Sequence, residues 1–282
     1  MGPQIAVYAA AYGNHVTVVE SNSEALHSAR QRLLGVAEKI AASDRNRFSM
    51  TDMRGAMGRV NFTQDLASTA GRSHLIFELV PESLELKEDF YEELSTVAHP
   101  QAIVCTGTST MLPSTLAEFY ARPERMMALH VFSDFWDFPC CEIMPHPGTD
   151  PQLVPEVAAF GRSLDLEVFA LEGEWPGYML NAIMIPGLLD AIGFLAEGRT
   201  DPLTMDEAWR TATGSDRGPF ELLDTVGIVT VYNVLCHRAA EGHKSSARIA
   251  DFVREEYLKK GRYGFSCRKG FLDYDAAGNI VR

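Results

Sequence analysis

The sequence predicts an α/β domain, a parallel sheet covered by helices, followed by an all-helical domain. Two observations carry the prediction. Short strand-like runs alternate with helical stretches from His15 to Leu171. Beyond Trp175–Pro176–Gly177 the pattern is helical throughout, with Pro and Gly separating the pieces. The boundary therefore falls near residue 175, giving domains 1–174 and 175–282.

Taken in order, Pro3–Tyr12 is a helix of small residues, with proline favourable at its first position and Gly13 closing it. His15–Glu20 is a β-branched strand ending in an acid. Ser23–Ala42 is a polar helix with Ser23 as N-cap, and a looser stretch containing Arg and Met runs on to Gly58. Val60–Phe62 and Leu75–Val80 are short strands, Leu86–Ala98 an amphipathic helix, and Ala102–Thr106 a buried strand before a turn of small residues. Pro113–Tyr120 is helical, Met126–Phe132 and Cys141–Met144 are strands, Pro155–Leu164 is a helix, and Glu167–Leu171 is the last strand. The second domain holds helices at Met179–Glu197, Thr204–Thr213, Phe220–Ala240 and Ala247–Lys260. They are richer in Leu, Ile and Val than one small domain needs, which points to a helical partner surface and hence a homodimer.

The 282 residues, 46% hydrophobic and 22% charged, have the composition of an ordinary soluble globular protein with a substantial core. A net charge of −13 argues against a broad nucleic-acid or anionic-membrane surface and leaves room only for a local basic pocket. No run approaches the roughly 18 apolar residues that span a bilayer. The N-terminus lacks a basic segment followed by an apolar one, so no export signal is expected and a cytoplasmic location is. The five cysteines, odd in number and without CxxC spacing, read as reduced thiols. Adjacent Cys140 and Cys141 would face opposite sides of a strand, and no metal site is expected.

The opening residues have the form of a nucleotide site. In dinucleotide-binding βαβ units, glycines permit a tight turn, the helix N-terminus faces the diphosphate, and an acid after the second strand takes the ribose hydroxyls. Gly2, Pro3, Gly13 and Glu20 fit the last glycine of such a unit and everything after it. Ser21, Asn22 and Ser23 follow the acid with no Arg beside it, which favours NAD over NADP. The first strand and first two glycines are not in this sequence. Further residues upstream are the simplest expectation; a natural chain without them is the alternative.

Four further stretches, "ELVPESLELKEDFYEEL" (78–94), "CTGTSTMLPSTLAE" (105–118), "RPERMMALHVF" (122–132) with "CEIMPHPGT" (141–149), and "PGYMLNAIMIPGLLDA" (176–191) leading to "RGPFELLDTVG" (217–227), resemble in this order the 3-hydroxyacyl-CoA dehydrogenase family. The resemblance runs from Met1 to about Tyr274. It implies a Rossmann-like NAD-binding domain followed by an all-α C-terminal domain that forms the dimer. It also implies a catalytic serine at Ser109, a catalytic histidine at His130 with its paired glutamate at Glu142, and an active-site asparagine at Asn181. On the cofactor side it implies Gly2, Glu20, Glu82, Lys87 and Ser109.

The residue types suit the chemistry. Oxidising a secondary alcohol removes a hydroxyl proton while hydride leaves the same carbon, and a neutral imidazole is a suitable base near neutral pH. A carboxylate on its other nitrogen fixes the tautomer. Each residue also has a plainer reading: His130 as a strand-end rim residue, Ser109 as turn chemistry, Asn181 as a helix-interior hydrogen bonder, and His99, His146 and His243 as loop residues. Glu142 in an apolar strand resists one, because an unpaired buried carboxylate is costly.

Departures bear on the substrate. The family has Asn where this chain has Gly107 and Ser133, and a cofactor-side lysine where it has Ser266. Asp134, Phe135, Trp136 and Asp137 add two acids and two large rings near the expected pair, and Arg45, Arg47 and Arg54 are candidates for CoA phosphates. The leading expectation is NAD-dependent interconversion of a short or modified L-3-hydroxyacyl-CoA and its 3-oxoacyl-CoA. A free 3-hydroxy acid, gulonate- or carnitine-like, is the first alternative. A non-catalytic dimeric binding protein is the second, if the short N-terminus is native.

Overall fold

Polar residues ahead of apolar runs set where the helices start. In the computed structural model, which describes residues 1–132 and 135–281, α1 (Gly2–Ala11) and β1 (Val16–Val19) lead into α2 (Ser23–Ala42). The cap of α2 is Asn22 rather than Ser23: its Oδ1 accepts from the Ala25 N–H at 2.8 Å. The stretch expected to be loose holds α3 (Met50–Met57), opened by a capping box in which Ser49 Oγ accepts from the Asp52 N–H and Asp52 from the Ser49 N–H. Then follow β2 (Val60–Thr63), α4 (Leu66–Ala70), β3 (Leu75–Glu78), α5 (Leu84–Val97), β4 (Ile103–Thr106), α6 (Pro113–Ala117), β5 (Met126–Val131), β6 (Cys140–Pro145), α7 (Leu153–Ser163) and β7 (Glu167–Ala170).

Two compact units emerge, Met1–Met179 and the residues from Leu180 on. In the first, β1 and β2 form a two-stranded parallel sheet and β3 to β7 a five-stranded one in sequence order. The expectation of a parallel sheet needs one correction: β6 runs antiparallel to β5. Only residues 132–139 join the two, too few for the dozen or more that a crossover between parallel strands requires. Strand alternation divides the core. Val104 and Met126 pack with Tyr91, Leu94 and Leu116, from α5 and α6, whereas Cys105 and Met127 pack with Val7, Met53 and Val157, from α1, α3 and α7.

The second unit is helical: α8 (Leu180–Ala196), α9 (Pro202–Thr213), α10 (Pro219–Val226), α11 (Ile228–Ala240) and α12 (Lys244–Glu256). The single helix expected over 220–240 is two, bent by 95°, because Gly227 has φ +93° and cannot continue a right-handed helix. Phe220, Leu223, Leu235, Ile192 and Val253 form its core with Phe271 and Leu272 of the tail. Asp224, 1% exposed, clasps that tail by accepting from the Phe271 and Leu272 N–H groups and the Tyr274 hydroxyl. Among the described residues no single helix is long and apolar enough to cross a membrane.

Candidate active site

The β5–β6 hairpin register sets His130 directly opposite Glu142, and residues paired this way share one face of the sheet. His130 Nδ1 lies 3.2 Å from Glu142 Oε2, with His130 5% and Glu142 0% exposed. Glu142 Oε1 accepts from the Met179 N–H at 3.0 Å. A buried carboxylate is tolerable only with such partners. Because the carboxylate accepts from Nδ1–H, the lone pair of the neutral ring sits on Nε2. Nε2 lies 3.4 Å from Oγ of exposed Ser109.

Ser109 rides on the turn after β4, and that turn is held from below. Glu82 accepts from the Ser109 and Thr110 N–H groups, both at 3.1 Å, and from the hydroxyls of Thr110 and Thr108. Burial alone would raise its carboxyl; the bonds from Thr108 and Thr110 and the charge of Lys87 outweigh it and hold Glu82 below the usual carboxylate range. Lys87 is itself 1% exposed. Its ammonium donates to Glu78 Oε1 at 2.7 Å and to the Val80 carbonyl at 3.0 Å, and lies 3.5 Å from Glu82 Oε2. Glu78, also buried, accepts in addition from the Val80 N–H and from the hydroxyls of Tyr91 and Thr106.

The structure thus brings Ser109, His130, Glu142, Glu82 and Lys87 to the carboxyl ends of β3, β4 and β5, where open α/β sheets bind ligands. Gly2 opens α1, whose first turn carries no acid and no side-chain cap. A Cβ on Gly2 would lie 4.0 Å from Leu79 Cδ1, and one on Gly107 would come within 2.5 Å of Leu79 Cδ2. The Leu79 side chain therefore lies between the start of α1 and the end of β4, and it leaves no room for an asparagine at 107 unless it moves. Glu20 follows β1, its N–H bonded to the Thr63 carbonyl at 3.1 Å. Asn181 is the second residue of α8, in the other unit.

Three site residues escaped the sequence reading. Glu78 had a signal: an acid ending the apolar strand "LIFE", with a lysine on the buried face 87/91/94 of the next helix. Tyr91 shares that face. Tyr178 had none. It is buried, stacks on the His130 ring at 4.4 Å and 17°, and donates its hydroxyl to the Thr108 carbonyl at 2.6 Å. Burial, with Glu82, Glu142 and Glu78 nearby, pushes the phenol far above its ordinary range, so it stays a donor.

The structure places the remaining residues as follows. Phe135 and Trp136 are 1% and 3% exposed and belong to the core; Phe135 packs edge-on against Tyr8 of α1 at 4.8 Å. They are structural rings, not lining for an altered acyl site. Asp137 accepts from the Ser43 hydroxyl, while Ser133 and Asp134 lie outside the described residues. Arg45 stacks on Phe138, and Arg47 on Tyr12 and Phe48. His146 is buried and built in: Nδ1 accepts from the Gly148 N–H and Nε2 faces the Pro123 carbonyl. All five thiols are free; burial pushes those of Cys105 and Cys141 up, the latter to about 12. Among the described residues no group of three or more His, Cys, Asp or Glu converges as a metal site.

A family model for the NAD binding domain of 3-hydroxyacyl-CoA dehydrogenase matches residues 1–172, and one for the C-terminal domain of the same family matches residues 177–274. The mitochondrial hydroxyacyl-coenzyme A dehydrogenase of Homo sapiens is 25% identical over 285 residues, covering 97% of this chain and 88% of its own. A probable 3-hydroxybutyryl-CoA dehydrogenase of Bacillus subtilis is 23% identical over 275 residues, covering 98% and 94%. Among solved structures, a diketoreductase described by its dual catalysis of dicarbonyl compounds matches with a TM-score of 0.88 and 34% identity, covering 96% of this chain and 94% of its own. Fold and site together define an NAD-dependent oxidoreductase with a Rossmann-like cofactor domain and a helical C-terminal domain. The chain belongs to the 3-hydroxyacyl-CoA dehydrogenase family.

The donor set fits NAD in kind. Glu20, at the carboxyl end of β1, would hold ribose hydroxyls, and the acid-free first turn of α1 would face the diphosphate. When bound, NAD supplies the acceptor or donor of hydride. His130 Nε2 can take a hydroxyl proton, and Glu142 holds Nδ1–H and stabilises the imidazolium that results. The Ser109 hydroxyl can donate to the same substrate oxygen as its charge develops.

Proposed function

We propose that this chain interconverts a short or modified L-3-hydroxyacyl-CoA and the 3-oxoacyl-CoA, with His130 as acid and base, Glu142 as its orienter, and Ser109 and Asn181 as ligands of the substrate oxygens. The observation that supports it best is the Ser109–His130–Glu142 series, which leaves the imidazole Nε2 lone pair beside an exposed hydroxyl. A second reading keeps the chemistry and drops the CoA: a free 3-hydroxy acid or its dicarbonyl counterpart. The diketoreductase likeness favours it. The test compares acetoacetyl-CoA with free 3-oxo acids and other 1,3-dicarbonyl compounds by loss of NADH absorbance. A kcat/KM at least about tenfold higher for the CoA ester supports the first reading, and the opposite order the second. Turnover of neither refutes both.

A homodimer through the second unit is part of the proposal. Helix α8, with Asp190 its one charged residue, leaves Ile183 76% and Phe194 51% exposed. Leu180 and Met184 of the same helix are exposed beside Ile183, and an exposed apolar patch of this kind supports a surface that a second copy covers.

A further inference from the structure

Gly177 and Tyr178 both take the left-handed backbone, at φ +80° and +58°. Glycine does so freely, whereas a tyrosine does so only where its surroundings hold it there. The Tyr178 N–H is fixed to the Trp175 carbonyl at 3.0 Å. This turn and the next residue touch His130, Glu142 and the residue before Ser109. The Tyr178 ring lies against His130, its hydroxyl holds the Thr108 carbonyl beside Ser109, and the Met179 N–H holds the second oxygen of Glu142.

We propose that Tyr178 is a positioning residue for the reaction: its ring, stacked on one face of the His130 imidazole, keeps the ring plane and the Nδ1–H tautomer aligned between Glu142 and Ser109. The inference rests on the reading of His130 given under Proposed function. A stacked ring occupies a face and leaves both in-plane nitrogens free, one for the carboxylate and one for the substrate hydroxyl. Among the described residues, the groups facing the imidazole are Glu142 at Nδ1, Ser109 at Nε2, the edge of Phe132 at 4.7 Å, and Tyr178. Without Tyr178 the ring can tilt or turn over about its Cβ–Cγ bond, which puts Cδ2 where Nδ1 was and Cε1 where Nε2 was, so that Glu142 no longer fixes the Nδ1–H tautomer.

The test uses Tyr178→Leu, which keeps an apolar group but removes the stack, and Tyr178→Phe, which keeps the ring and removes only the hydroxyl. In Tyr178→Leu, kcat falls about tenfold to a hundredfold, as for other small misplacements of a reacting group, while KM for NAD and for the ketone stay within about twofold. Tyr178→Phe restores kcat to within about threefold of wild type. Nitrogen-15 spectra of the imidazole show one Nδ1–H tautomer in wild type and Tyr178→Phe, and a mixture in Tyr178→Leu. Turnover of Tyr178→Leu at the wild-type level, loss in Tyr178→Phe as large as in Tyr178→Leu, or a single tautomer in Tyr178→Leu overturns the inference. If wild type turns over none of the offered compounds, the functional reading fails, and the tautomer spectra still decide the positioning role.

Discussion

Replacing Lys87 by Met asks whether this cation serves the interior or the cofactor. Its ammonium is enclosed and makes its closest contact, 2.7 Å, with Glu78, whose side chain is 0% exposed. Removing it strands a carboxylate inside the protein, a defect that costs about 3–5 kcal/mol when nothing replaces the partner. Glu78 keeps three donors, the Val80 N–H and the Tyr91 and Thr106 hydroxyls, so the loss belongs at the lower end, about 3 kcal/mol. For a unit of this size that lowers Tm by roughly 6–12 °C. Calorimetry of Lys87→Met, Glu78→Gln and the double variant measures it, and the double variant recovers more than half of the loss because no buried charge remains. If Lys87→Met melts within about 2 °C of wild type while KM for NAD rises tenfold or more, the ammonium meets the cofactor directly and the reasoning from burial is wrong.

Glu82→Ala frees the turn that carries Ser109 and lowers kcat by about tenfold or more; a kcat within twofold of wild type contradicts that role. The Glu82 carboxyl is held below its usual range, so its hold on the turn is present above that range and is lost as pH falls through the depressed value. Asp224 has the opposite sign: burial outweighs its three hydrogen bonds and pushes it up to about 6. Its contribution is fully present below the ordinary carboxylate range and is lost as pH rises from about 4 to about 6. That gap of about two pH units is worth about 3 kcal/mol, read by urea unfolding as a wild-type advantage over Asp224→Asn that shrinks across the window; a constant difference contradicts it. Ile183→Glu converts the proposed dimer to a monomer by light scattering, and a wild-type chain that is already monomeric refutes the dimer.

The pairing of His130 with Glu142 came from the family resemblance, not from the strand pattern, which predicts a parallel sheet. The signal for the antiparallel return was there and was overlooked: the eight residues between β5 and β6 are too few for a parallel crossover. Helix α3 was missed too, although "SMTD" carries the capping-box pattern with Asp in place of Glu. The break at Gly227 was hidden by apolar periodicity that continues across it; the sign of φ at a glycine is not written in the pattern. Phe135 and Trp136 were misread for a different reason. Whether a ring faces a ligand or the core depends on what lies opposite, and for Phe135 that is Tyr8, adjacent in space but remote in sequence. Tyr178 combines both difficulties, a left-handed backbone and contacts with two distant segments, at Thr108 and His130.

The account depends most on His130 and Glu142 acting as one unit, and steady-state turnover of His130→Gln, Glu142→Gln and the double variant tests that directly. The prediction is that His130→Gln loses about a hundredfold to ten-thousandfold in kcat, that Glu142→Gln loses at least about tenfold, and that the double variant is no worse than His130→Gln alone. Near-wild-type turnover of His130→Gln, or losses that multiply in the double variant, would contradict it.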